Sequence, residues 1–184
     1  MPKPEGAEIP YVGGLYYLLL LGEVPTREEA LEVEEEWKRR WEVPDYVVDV
    51  LRAMPEDSHP MTLFSQAILA LERQSRFARR YLEGMRKEDY WEPMLEDSLD
   101  LIAKAPAIAA HIYHLKTGGG QPPAPDRSLD WAANFAHMMQ IPQQDYRELA
   151  RLYFIIHSDH ESGNVSAHTT YLVSSTLSDI YYAT

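Results

Sequence analysis

The chain has 184 residues, of which 45% are hydrophobic and 25% charged, and it contains no cysteine. This length and composition are typical of a globular domain with an apolar core and exclude a disordered chain, and the missing thiols exclude disulfides and zinc–cysteine sites. The formal net charge of −12 argues against nucleic acid as a partner, and no apolar run reaches the ~20 residues of a membrane span.

The first half of the chain carries helix start and stop signals. Thr26 and Glu29 have capping-box spacing at the start of "PTREEALEVEEEWKRRW", whose glutamates we interpret as a solvated helix face. Pro44 and Pro55 bracket a short helix in "DYVVDVLRAM", because proline disfavours helical backbone in the residue before it. The apolar spacing of "MTLFSQAILALERQSRFARRYLEG" then predicts one long helix that stops at Gly84.

The second half is also helical in its spacing. The segment "DYWEPMLEDSLDLIAKAPAIAAHIYHLKTGGG" predicts a helix that Pro106 kinks or divides, and "GGGQPPAPDRS" is the one clear linker. Three more helices follow in "SLDWAANFAHMMQ", "PQQDYRELARLYFIIH" and "NVSAHTTYLVSSTLSD", with Trp131, Met138 and Met139 as core residues. No alternating stretch predicts a strand, so the sequence predicts an all-α, multi-helical, layered fold.

Three histidines lie close together in "HSDHESGNVSAH", after the apolar run "LARLYFII". His157 and His160 suit cationic caps at a helix C-terminus, or a metal site that His168 completes from the next helix. They also suit an anion or proton-transfer site, in which they converge with free amides where the helix near Asn164 begins. Spacing alone leaves all three interpretations open. The other histidines, His59, His111, His114 and His137, are interpreted as structural.

The same region resembles a known family. "LARLYFIIHSDHESGNVSAHTTYLVSSTLSD" is similar to the corresponding segment of citrate synthase of the eukaryotic mitochondrial type. "LLLLGEVPT", "EWKRR", "DSHPM", "RFARRYLEGMRK", "YWEPMLEDSLDLIAKAPAIAAHIY" and "LDWAANFAHMM" resemble further blocks of that family in the same order. The resemblance implies that residues 1–184 form a central part of the family's all-α large domain, without its small domain.

The resemblance also implies a substrate pocket. Citrate synthases condense oxaloacetate with acetyl-CoA and use neither a metal nor a redox cofactor. By resemblance, His160 donates to the oxaloacetate carbonyl, His157 contacts the substrate nearby and Asn164 lines the pocket. Ser166 matches a serine that orients a catalytic histidine further along the family's chain. Ser162 replaces the first glycine of the family's "EGGN" turn, which adds a side chain close to the pocket.

After "LSD" the sequence reads "IYYAT", where the family continues to a catalytic histidine. That histidine, the second pocket histidine, the catalytic aspartate and the oxaloacetate-binding arginines have no counterpart in the 184 residues. We therefore assign no catalytic residue here and expect no turnover by the chain alone. The interpretation we favour is a non-catalytic structural or assembly subunit of a larger mitochondrial complex. The alternative is a piece of a split or truncated citrate synthase that a missing part completes.

Both interpretations need a partner. Helices taken from the middle of a layered domain have apolar faces, which a protein partner or self-association is expected to cover. Weak binding of oxaloacetate is expected from the pocket residues that remain. The resemblance places the protein in the mitochondrial matrix, although the opening "MPKPEGAEIP" has the composition of neither a signal nor a transit peptide.

Overall fold

The computed structural model describes residues 1–158 and 163–184, and the regular elements of these two ranges are all helical, which confirms the predicted fold class. None of the described helices is long and apolar enough to cross a membrane. The α-helices are α1 (Val12–Leu21), α2 (Arg27–Arg40), α3 (Asp45–Ala53), α4 (Pro60–Leu71), α5 (Arg76–Leu82), α6 (Trp91–Thr117), α7 (Trp131–Met138), α8 (Gln144–Ile156), α9 (Val165–Ser174) and α10 (Ile180–Ala183).

Helix α6 is the centre of the fold and contacts α2, α3, α4, α5, α7 and α10. One apolar cluster packs α3, α4 and α10 against α6, around Leu51, Leu63 and Ile108. A second cluster joins α1, α2, α7 and α8 to α6, around Trp37 and Trp131, whose rings lie 5.1 Å apart. Each fully buried side chain of this size contributes about 1.5–3 kcal/mol. The two clusters therefore hold the surrounding helices against α6.

Helix α6 continues through Pro106, which is buried inside it. The expectation that the proline divides the helix is therefore wrong. The proline ring nitrogen cannot donate to the carbonyl of Ile102, at a cost of about 3 kcal/mol in a free helix. The helix tolerates this loss because α2, α4 and α7 pack around it and bury its small side chains, among them Ala103 and Ala107.

The capping box at the start of α2 is confirmed. The Thr26 hydroxyl accepts a hydrogen bond from the Glu29 amide, and the Glu29 carboxylate accepts one from the Thr26 amide at 2.8 Å. Two amides that the helix cannot satisfy internally are thereby bonded. The linker between α6 and α7 also lacks helix, as predicted.

The predicted long helix up to Gly84 is wrong, because the chain breaks between α4 and α5. A short 3-10 turn over Glu72–Gln74 leads into Ser75, which caps α5. The cause lies on α6, where the Asp97 side chain is 0% exposed. Its carboxylate accepts bonds from the Arg76 and Phe77 amides at 2.9 and 3.0 Å and from the Ser75 hydroxyl at 2.9 Å. A continuous helix would have used both amides internally, so the break satisfies the buried carboxylate.

The last predicted helix is shorter than expected. It ends at Ser174, and Leu177 has a left-handed backbone with φ 66°. Asp179 then caps α10 by accepting bonds from the Tyr181 and Tyr182 amides. The Tyr181 side chain is buried in the α3–α4–α6 cluster, so α10 anchors the last residues of the chain to the core.

The expected core and structural residues lie largely where the sequence predicts them. Trp131 and Met138 are buried, and Met139 packs against the same region while partly exposed. The buried His114 ring donates from Nε2 to the Met138 carbonyl at 2.8 Å, which ties α6 to α7. His59 caps α4, where its Nδ1 accepts from the Met61 amide.

Candidate functional site

His157 stands at the C-terminal end of α8, where it is the capping residue, as the first interpretation of the histidines requires. Its Nδ1 lies 2.8 Å from the Tyr153 carbonyl oxygen, and its ring stacks on the Tyr153 ring with 4.0 Å between centroids. Because a carbonyl oxygen only accepts, Nδ1 carries the proton. The neutral ring therefore offers Nε2 as an acceptor, and the protonated ring offers it as a donor to an anion.

Asn164 caps the start of α9. Its side-chain oxygen accepts from the Ser166 amide at 2.8 Å and from the Ala167 amide at 3.3 Å. These are amides that the anion-site interpretation left free for a carboxylate. That detail is wrong, since Asn164 already uses both of them to cap α9. Ser166 lies exposed in the first turn of the same helix.

The candidate residues therefore lie at two helix ends that are consecutive in the chain. His157 is at the end of α8, and Asn164 and Ser166 are at the start of α9. His160 and Ser162 lie outside the described residues. Within residues 1–158 and 163–184, no cluster of three or more histidine, aspartate or glutamate side chains is arranged to hold a metal ion. His168 is exposed on α9.

Exposed apolar side chains surround these helix ends. On α8, Leu149, Tyr153 and Ile156 are 55%, 54% and 64% exposed. On α9, Val165 is 81% exposed and Tyr171 68%. Isolated exposed apolar residues are ordinary, but several on each of two consecutive helices indicate surface that a further part can cover. His157, Asn164 and Ser166 thus lie beside the least covered part of the fold.

The three largest cavities that we describe lie elsewhere. They have volumes of about 370, 360 and 310 Å³, and neither His157, Asn164 nor Ser166 lines any of them. A small-molecule site usually buries most of its ligand in a concave pocket. His157, Asn164 and Ser166 therefore lie outside these cavities, and the main helix contacts among the described residues include none between α8 and α9.

The solvated-face interpretation of "EEALEVEEEW" is wrong for Glu34, which is 1% exposed. Its two carboxylate oxygens accept from the Gly13 amide at 2.9 Å and the Trp131 amide at 2.7 Å. Burial raises the pKa of Glu34 to about 7, with a smaller contribution from Asp130, and the two amides partly oppose the shift. The sequence held a signal for this, because Glu34 shares a helical face with Ala30 and Trp37.

A buried charge pair lies close to Glu34. Arg151 on α8 donates to both oxygens of Asp130, at 2.7 and 3.2 Å, and also to Glu148 at 2.9 Å. The Asp130 carboxylate also accepts from the Ala133 amide and so caps α7. This pair orients α8 relative to α7. The Trp131 ring then packs on Phe154 with 4.6 Å between centroids, one turn before His157.

Comparisons with known proteins agree with this architecture. The family described as "Citrate synthase, C-terminal domain" matches residues 12–184. Mitochondrial citrate synthases of Kajikia audax and Xiphias gladius are each 50% identical to the chain over 182 residues. Those residues are 98% of this chain and 39% of each relative, so the chain spans about two fifths of the length of these relatives.

Solved structures share the fold. The crystal structure of citrate synthase from Pyrobaculum aerophilum superposes with a TM-score of 0.81 at 29% identity, covering 97% of this chain and 45% of that one. A citrate synthase from Thermoplasma acidophilum, solved in a ternary complex with carboxymethyl coenzyme A and oxaloacetate, has a TM-score of 0.75 at 21% identity. It covers 94% of this chain and 43% of that one.

Proposed function

This chain belongs to the citrate synthase family, and from that premise we propose that it contributes one wall of an oxaloacetate pocket and forms no citrate alone. The observation that carries the proposal is His157. Its ring is held at the edge of the uncovered surface by the Tyr153 carbonyl and the Tyr153 ring, with Nε2 left for a ligand. By resemblance, His160 polarises the oxaloacetate carbonyl, and Asn164 lines the pocket.

The opposite wall comes from residues beyond these 184. A pocket that binds a dicarboxylate in this family uses arginines, and a hydrogen bond to a charged group is worth about 1.5–3 kcal/mol. Two such contacts correspond to roughly a hundredfold to over ten-thousandfold in affinity. The chain alone therefore binds oxaloacetate weakly, and without a base for the acetyl group that binding leads to no reaction.

The complementary part packs on α8 and α9. Leu149 and Ile156 on α8 and Val165 on α9 expose apolar surface next to the candidate residues, and covering that surface would also close the pocket. The complementary part is either more of the same polypeptide or a separate chain, and self-association covers the surface equally well. We place the protein in the mitochondrial matrix, because the 48–50% identical relatives are named mitochondrial.

A second candidate function is a non-catalytic structural or assembly subunit. The observation that favours it is Ser162, which stands where the family's turn has glycine. By resemblance this turn borders the oxaloacetate pocket, where an added side chain leaves less room for substrate, while the helical framework does not depend on it. In this case the chain binds its partner through α8 and α9 but takes no part in condensation.

Complementation tests the proposal. The chain is mixed with the part of the Xiphias gladius relative that it does not cover, and CoA release is followed with oxaloacetate and acetyl-CoA. We expect release only from the mixture, and H157A should lower kcat/KM about ten- to hundredfold by removing a contact to a charged substrate. The matched control is H168A, a second exposed histidine of the same segment.

The outcomes separate the two candidates. CoA release that depends on His157 but not on His168 supports the pocket wall. A stable complex without CoA release supports the structural subunit. Citrate formed by the 184-residue chain alone, above the level of contaminating enzyme, would show that the proposal is wrong.

A further inference from the structure

The largest cavity described above, about 370 Å³ in volume, is not lined by the described residues of the histidine segment, although α8 contributes to both. Its walls are the N-terminal residues, α2, the turn before α7 and the first half of α8. The volume is in the range of sites that take small molecules. In a chain with a formal charge of −12, this cavity is unusual because four cationic side chains line it: Arg27, Lys38, Arg147 and Arg151.

Two of these cations are already neutralised by carboxylates. Arg151 forms the buried pair with Asp130 at 2.7 Å. The Lys38 ammonium lies 2.7 Å from Glu35. Asp130 itself lines the cavity, and its charge is therefore compensated there.

The other lining carboxylates, Glu34 and Glu5, form no ion pair with the lining cations within the described residues. Glu34 uses both oxygens on the Gly13 and Trp131 amides. Glu5 lies exposed at the rim, where water screens its charge.

Arg27 and Arg147 are different, since neither has a carboxylate oxygen within 4.0 Å among the described residues. The charge of Arg147 does act on Asp126, whose pKa is lowered mainly by hydrogen bonds from Ser128 and to a smaller extent by Arg147. Arg27 donates from Nη1 to the Lys3 carbonyl at 2.9 Å, and its guanidinium lies 5.8 Å from the Tyr11 ring centroid. These contacts hold the side chain in place without cancelling its charge. Arg147 is half-buried, and its Nε is buried with no hydrogen-bond partner among the described groups.

We propose that this cavity binds a small molecule carrying two or more negatively charged oxygens, held between the guanidinium groups of Arg27 and Arg147. A guanidinium presents a planar fork of donors that matches carboxylate and phosphate groups, and partial burial strengthens such contacts. Binding would neutralise two cations that form no ion pair with the described residues. The site is separate from the proposed oxaloacetate pocket, because neither His157, Asn164 nor Ser166 lines it.

The experiment measures binding to the purified protein by calorimetry at constant ionic strength. The probes are inorganic pyrophosphate for a phosphate ligand and tricarballylate for a carboxylate ligand, with chloride as the reference anion. We expect saturable binding of at least one probe, weakened about ten- to hundredfold by R147Q and by R27Q. R147K keeps the charge but loses the fork, so intermediate weakening is expected.

Two control variants locate the site. R39Q removes an exposed arginine that pairs with Glu36 on the outer face of α2, and it should leave the affinity unchanged. H157A should also leave it unchanged, which separates this site from the oxaloacetate pocket whether or not the protein forms citrate. Circular dichroism checks that each variant is folded. If R147Q does not fold, the affinity of R27Q alone tests the proposal, because Arg27 is exposed and its replacement should leave the fold intact.

Binding of one probe alone supports the proposal and identifies the ligand as phosphate-like or carboxylate-like. The proposal is refuted if neither probe binds saturably, or if folded R27Q binds as tightly as the unmodified protein. It is equally refuted if H157A or R39Q weakens binding as much as R27Q does, because the anion would then bind elsewhere or through net charge alone.

Discussion

The buried carboxylate of Glu34 makes the stability of this fold depend on pH. Burial raises the pKa of Glu34 to about 7, against about 4.5 for an exposed glutamate. The folded state therefore binds a proton more tightly than the unfolded state. The stabilisation from this group is fully present below about pH 4.5 and is lost as the pH rises through 7. At about 1.4 kcal/mol per pKa unit, the loss is about 3 kcal/mol.

The variant E34Q removes the titration while keeping the size of the side chain. We expect the free energy of unfolding of the unmodified chain, measured relative to E34Q, to fall by about 3 kcal/mol between roughly pH 4.5 and 8. Urea denaturation followed by circular dichroism at several pH values measures this difference. The matched control E32Q changes an exposed glutamate two residues away on the same helix. Parallel pH profiles for the unmodified chain and E34Q would refute the reasoning.

Two further substitutions test buried tertiary contacts, one at Asp97 and one at Glu34, each by urea denaturation. D97A removes the carboxylate that accepts three hydrogen bonds at the α4–α5 break. We expect it to lower the free energy of unfolding by about 3 kcal/mol. A loss below ~1 kcal/mol would contradict the role of Asp97 in the break. In G13A the new Cβ would lie 3.1 Å from a Glu34 oxygen and 3.2 Å from the Ala30 carbonyl oxygen, while in the control G14A its nearest neighbour is at 3.4 Å. We expect G13A to be less stable than G14A by about 1–3 kcal/mol, and equal stability would show that Glu34 can move away.

The segment between α4 and α5 shows where local patterns stop being informative. Apolar spacing predicts helix across Glu72–Gln74 because every residue there is compatible with it. The break depends on Asp97, which is 22 residues from Ser75 in the chain and completely buried. A pattern read within a window of one or two turns holds no information about a carboxylate on another helix.

The candidate site, like the fold, was predictable from the sequence only in part. The histidine segment and its resemblance identify the family, and the comparisons confirm that identification. The placement of His157 on the Tyr153 ring follows from spacing of four residues on one helix. The Asn164 cap was predictable from its residue type at a helix start, but its use of two amides was assigned to a ligand instead.

By itself, the sequence determined the all-α class, the start of α2 at its capping box and the membership of the family, because these depend on residues a few positions apart or on the whole pattern. Only the tertiary structure decided that Glu34 is buried, because its partner Trp131 is 97 residues away. It alone also placed Arg27 and Arg147 around one cavity. The physical reason is that burial and the pairing of charges depend on which helices pack together, and packing brings together residues that no local spacing relates.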